Sequence, residues 1–119
     1  MLVDAHAHVW ALDPVTYPWR PTFGFVPADN APPDDLLRGM DRHGVGHALL
    51  VQPSAYGPDH RFLLDTVRAW PERFLPVGLV DPADPASVAA APSLVRDAGC
   101  VGLRVNLSLD VAYARRQAT

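Results

Sequence analysis

Apolar residues along the chain alternate between short continuous runs and stripes at helical spacing. The first run, "LVDAHAH" (Leu2–His8), reads as a strand, and "GHALLVQP", apolar on both faces, reads as a buried second one. "RFLPVGLVD" predicts a third strand, with Pro76 marking a bulge or a lost ladder bond, and "CVGLRVN" predicts a fourth. Between them lie helical stripes. "PPDDLLRGMDRHG" places Leu36, Leu37 and Met40 on one face, opens on Pro33 with Asp34 and Asp35 at its positive end, and stops at Gly44. "HRFLLDTVRAW" groups Leu63, Leu64, Val67 and Trp70 after a capping Asp59, and Pro71 ends it. A third helix opens at Asp84 and Pro85, with Pro92 expected to kink or divide it. A fourth could begin at Asp110.

The order is β-loop-α-β-α-β-α-β without a two-residue hairpin turn, which predicts parallel strands joined by helical crossovers. Val9 to Pro32 is too rich in proline for a regular element and reads as a lid or binding wall. In it, Tyr17 and Trp19 either wall a ligand or pin the loop.

Composition narrows the function classes. A chain of 119 residues that is 49% hydrophobic builds one modest core, so two domains are not expected. Thirteen acidic against 10 basic residues, a net charge of −3, give no electrostatic reason for a nucleic acid or an anionic membrane as partner. No apolar run reaches the ~18 residues of a membrane span, and no signal peptide is legible at the N-terminus. The lone Cys100, in an apolar run, cannot form an internal disulfide, which favours a reducing cytoplasm.

Polar groups gather at the carboxyl ends of the strands, where ligands bind in parallel α/β folds. The first strand ends in His6 and His8, expected on one face with Asp4 and Leu2 by simple alternation, so that two imidazole nitrogens can grip one metal ion. The same pair also reads as ordinary half-buried histidines. The second strand ends in Gln52, Ser54 and Tyr56, the third in Asp81, and the fourth in Arg104 and Asn106. Ser54 and Asp81 each have a plain turn reading. Arg104, inside an apolar strand, either pairs with an internal carboxylate or grips a substrate carboxylate in bidentate fashion. His43, His47 and His60 receive no role.

Taken together, "DAHAHVW", "YPW", "LLRGMDRHGVGHALLVQPSAYGPDHRFLLD", "RFLPVGLVDP" and "GCVGLRVN" resemble the N-terminal part of amidohydrolase-related (amidohydrolase family 2) proteins, in the branch of pyrone-dicarboxylate lactonases and sugar-lactone hydrolases. The resemblance implies an α/β fold, a partial (β/α)₈ barrel of about four parallel strands and three helices. Residues 1–119 would then be the N-terminal part of the barrel, an incomplete single domain from a truncated or split gene. It also implies a hydrolase acting on a lactone, amide or related carboxylate-bearing small molecule. By this resemblance His6 and His8 are catalytic and metal-binding residues, while Ser54, Tyr56, Arg104 and Asn106 bind substrate. Tyr56 stands where the lactonases tend to have histidine. The cofactor implied is a divalent ion, Zn²⁺ first, which some lactonases of this branch do without.

Two other readings stand beside it. Phosphoesterases and TatD-type nucleases also begin with His-x-His, so a metal-dependent phosphoesterase is the first. The second is a non-catalytic half barrel that survives by self-association or by pairing with a complementary half, since an open four-stranded sheet leaves two edges and apolar surface uncovered.

Overall fold

The computed structural model describes residues 1–21 and 26–106. Strand β1 (Leu2–Ala7) is followed by helix α1 (Pro33–His43), β2 (Val45–Val51), α2 (Arg61–Ala69), β3 (Phe74–Leu79), α3 (Pro85–Arg96) and β4 (Gly102–Arg104), with a single 3₁₀ turn over Ser54–Tyr56. Among the described residues the three strand pairings are parallel, in the order β1-β2-β3-β4, and an isolated antiparallel bridge joins Trp10 to Ala31 in the loop after β1. The element order and fold class therefore match the sequence reading. The helix expected from Asp110 lies outside the described residues.

Local chemistry explains most boundaries. Gly44 ends α1 in the left-handed conformation (φ 70°), which a glycine adopts without steric cost. The Asp84 carboxylate caps α3 by accepting from the Ala86 N–H (3.0 Å). At α2 the cap differs from expectation. His60 holds the N-cap position without a side-chain cap bond, and Asp59, one residue earlier, accepts from the Arg61 N–H at 3.1 Å.

The bulge or lost bond expected at Pro76, and the division expected at Pro92, are not found. β2 and β3 stay in unbroken register through Leu50↔Pro76. The Pro76 carbonyl accepts from Val101 N–H, so its missing donor faces the β4 side, and β4 pairing begins only at Val77↔Gly102. The ring sits where no ladder bond is lost. Pro92 lies within a single α3, which is not divided. That helix has no buried residue, so little packing constrains it.

The core lies on one face of the sheet. Ala48, Leu50 and Phe74 pack there against Leu37 and Met40 of α1 and Leu63 of α2, with Val9 closing the end. The alternate residues of the strands face the other way, and among the described residues that face is open at its amino-terminal end, where Val3 is 54% and Leu75 49% exposed beside Leu49, while Val51 and Leu79 at the carboxyl end are buried. Among the described residues β1 and β4 are the edge strands, and exposed apolar residues lie on the sheet, as the sequence reading expects. No helix among the described residues is long and apolar enough to cross a membrane.

Candidate active site

β1 does not alternate simply. Asp4 pairs with Ala48 and Ala7 with Leu50, so three steps along β1 match two along β2, and the strand bulges between them. Asp4 is thereby turned toward α1, lining a cavity with Leu36 and Met40, while its carboxylate accepts from the His6 N–H (3.0 Å). The expectation that Asp4 shares a face with both histidines is corrected by this extra residue.

The histidines themselves converge. His6 Nε2 and His8 Nε2 are 3.1 Å apart, with the rings edge to face. His8 Nδ1 lies 2.8 Å from the Val51 carbonyl. A carbonyl only accepts, so Nδ1 carries the proton and Nε2 presents its lone pair. His6 is exposed and His8 half-buried. Burial lowers the His8 pKa, the Val51 carbonyl opposes that shift, and the charges of Arg104 and His6 lower it further.

The pair suits a metal ion in part. Adjacent ligands of a tetrahedral ion with Zn–N bonds of ~2.05 Å stand about 3.3 Å apart, close to the 3.1 Å found here. The carbonyl behind His8 is the outer partner that metal-binding imidazoles use. Among the described residues no group of three or more His, Cys, Asp or Glu side chains converges. These residues thus contribute two ligands at most.

Arg104, on the open face across from Leu79, lies near enough for its charge to reach His8, and its Nη1 donates to the Gln52 carbonyl (3.3 Å). Burial lowers its pKa from the usual arginine value. Among the described residues it forms no ion pair with a carboxylate. Ser54 opens the 3₁₀ turn after β2 and is partly exposed, and Asn106 is buried two residues past β4.

Tyr56, expected as a substrate contact, is buried and engaged within the fold. It is 1% exposed, its hydroxyl accepts from the Ala11 N–H (3.0 Å) and donates to the Ala11 carbonyl (3.2 Å), and Trp19 stacks on its ring. The phenol is an anchor for the loop after β1. Tyr17 binds that loop to α2 through Asp65 (2.7 Å) and Phe62, so both aromatics act as pins. Asp81 follows its turn reading, accepting from the Ala83 N–H.

His60, given no role from sequence, is 7% exposed and fully engaged. Its Nδ1 lies 2.9 Å from the Pro58 carbonyl, and its Nε2 accepts from the Leu79 N–H at 3.0 Å. The Leu79 N–H emerges just past the end of β2, so the imidazole takes the place of the missing strand partner. No local pattern in the sequence announces that contact.

Burial lowers the His60 pKa below the usual 6.5. The unfolded chain therefore takes up the proton first, and stability present above about pH 6.5 is lost as pH falls toward the folded-state value. His8 adds in the same direction. The urea midpoint is expected to be lower at pH 5 than at pH 7, and His60→Gln to shrink that difference. Equal midpoints for the unmodified chain would contradict the assignment.

The four parallel strands and three helices form an α/β half barrel, and comparison gives the family. The chain belongs to the amidohydrolase family, whose model, described as Amidohydrolase, matches residues 3–119. It is 32% identical over 80 residues to the 4-sulfomuconolactone hydrolase of Hydrogenophaga intermedia, covering 66% of this chain and 25% of that protein. A crystal structure from Acinetobacter baumannii, described as a 2-pyrone-4,6-dicarboxylic acid hydrolase with citric acid bound, superposes with a TM-score of 0.67 at 24% identity, covering 89% of this chain and 39% of that one. A Pseudomonas putida structure described as a hydrolase of the same acid gives 0.62 at 29%, covering 86% and 35%. An apo structure from Agrobacterium tumefaciens gives 0.65 at 25%, covering 98% and 44%. The chain thus spans a quarter of that curated relative and less than half of each of these solved structures.

Proposed function

We propose that this chain carries the first part of a lactone hydrolase site, with residues 1–119 supplying strands β1–β4 of a (β/α)₈ barrel, and that the substrate is a small lactone bearing a carboxylate. The observation that carries the reading is the convergence of the His6 and His8 Nε2 atoms beside an Arg104 guanidinium with no carboxylate partner among the described residues. The lactone hydrolase relative and the dicarboxylic acid hydrolase neighbour support the same substrate class.

In this reading Arg104 and Ser54 hold the substrate carboxylate, with Asn106 beside them, and thereby set the distance of the ring carbonyl from the histidine pair. His6 and His8 would hold a divalent ion, Zn²⁺ first, which when bound polarises that carbonyl. The Val51 carbonyl keeps the His8 Nε2 lone pair turned toward His6. Hydrolysis then consumes one water, whose oxygen bonds the acyl carbon as the ring acyl C–O bond breaks, leaving a hydroxyl and a carboxylate and releasing one proton. Tyr56 is left out of the substrate contacts because Ala11 takes its hydroxyl.

The test is a panel of lactones with and without a second carboxylate, run beside phosphate esters. Hydrolysis of the carboxylate-bearing lactones is expected, and turnover of phosphate esters alone would replace this reading with a phosphoesterase. Arg104→Ala is expected to raise KM for a carboxylate-bearing lactone about 10- to 100-fold, since hydrogen bonds to a charged group contribute ~1.5–3 kcal/mol. An unchanged KM would remove Arg104 from the site.

A further inference from the structure

The segment between β2 and α2, which carries Ser54, presents three successive carbonyls to buried side chains. Gln52 Nε2 donates to the carbonyls of Gly57 (3.1 Å) and Asp59 (2.7 Å), and His60 Nδ1–H donates to that of Pro58 between them (2.9 Å). Both side chains are buried, Gln52 completely. Both residues also reach a second element: the Gln52 main-chain carbonyl accepts from Arg104 Nη1 of β4, and the His60 side chain accepts at Nε2 from the Leu79 N–H at the end of β3. Gln52 Oε1 has no hydrogen-bond partner among the described residues. Leaving a buried acceptor unpaired is costly, yet turning the amide over would set that oxygen against two carbonyls. The amide is therefore committed to holding the loop.

We infer that Gln52 and His60 are positioning residues for the carboxylate subsite: they fix the loop that carries Ser54 and, through the Gln52 carbonyl, the seat of Arg104. The inference rests on the lactone hydrolase reading above. Neither residue touches the substrate. Their action is on the distance between Ser54 and Arg104, which matters only to a substrate whose carboxylate bridges the two.

That dependence gives a readout a purely structural role would not move. Gln52→Met removes both donors at similar volume, and His60→Gln keeps a polar side chain but not the imidazole geometry. The active protein carrying each change is assayed on two lactones, one bearing the extra carboxylate and one lacking it, with Arg104→Ala run in parallel. The expected result is a rise in KM of about 10-fold for the carboxylate-bearing lactone, in the range found for outer partners of ligating groups, with kcat/KM for the neutral lactone within about twofold of the parent. Parallel losses on both lactones, no change on either, or unfolding of both variants would overturn the inference. If Arg104→Ala shows the selective KM effect and the other two do not, the positioning role fails and the lactonase reading stands. If the parent protein hydrolyses neither lactone, the lactonase reading fails, and with it the carboxylate subsite.

Discussion

Under the lactone hydrolase reading proposed above, replacing His8 with alanine is expected to cut kcat/KM for lactone hydrolysis by about 10²- to 10⁴-fold, the range seen when a group acting directly on the reacting centre is removed. His8 is the better-fixed member of the pair. Its Nδ1 is tied to the Val51 carbonyl at 2.8 Å, whereas His6 is exposed and held at its backbone by Asp4. Losing His8 also leaves the His6 Nε2 without its neighbour at 3.1 Å. The same substitution lies at the sheet end, so the fold should survive it, as circular dichroism and the urea midpoint would report. Activity within about threefold of the parent would exclude the histidine pair from the chemistry. A chelator separates two uses of the pair. If chelation abolishes turnover and Zn²⁺ restores it, the histidines act as ligands. If chelation leaves the rate unchanged while His8→Ala abolishes it, the imidazoles act on the carbonyl or water themselves.

Much of this arrangement is legible in the chain before any coordinates. The alternation of apolar runs and helical stripes gives the order of seven elements and their parallel pairing, because each signal is local: Gly44 stopping α1, Asp84 capping α3, Pro71 following α2. The strand-end position of the histidines and Arg104 follows from that order. What the chain does not announce depends on partners far away in sequence. Whether Asp4 and the histidines share a face turns on a bulge in the pairing with β2, and a bulge is a property of two strands. Pro76 looks like a defect until β4 is seen to start one residue later. Tyr56 resembles a rim residue by its place after β2, but Ala11, 45 positions earlier, claims its hydroxyl. His60 sits at a helix start, where exposure is the ordinary expectation, and becomes a buried clasp only because β2 ends before β3 does.

Phe74→Ala is expected to cost about 3–5 kcal/mol of stability, as burial of a large aromatic in a single small core implies. Phe74 is 1% exposed, pairs with Ala48 across β2 and β3, and meets Trp70 edge to face at 6.3 Å between centroids. It belongs to the buried cluster that joins β2 and β3 to α1 and α2. Among the described residues α3 has no buried side chain and adds none to that cluster. Against a total stability of ~5–15 kcal/mol for an ordinary domain, that loss takes about a fifth or more and brings a marginal chain close to unfolding. The same reasoning predicts an asymmetry. Val88→Ala on α3, where the side chain is 48% exposed, should change the urea midpoint by the equivalent of no more than ~0.5 kcal/mol. Equilibrium unfolding of the two variants measures both effects at once. Comparable losses would mean that α3 is packed against a surface the described residues do not supply, and that the core is larger than the cluster around Phe74.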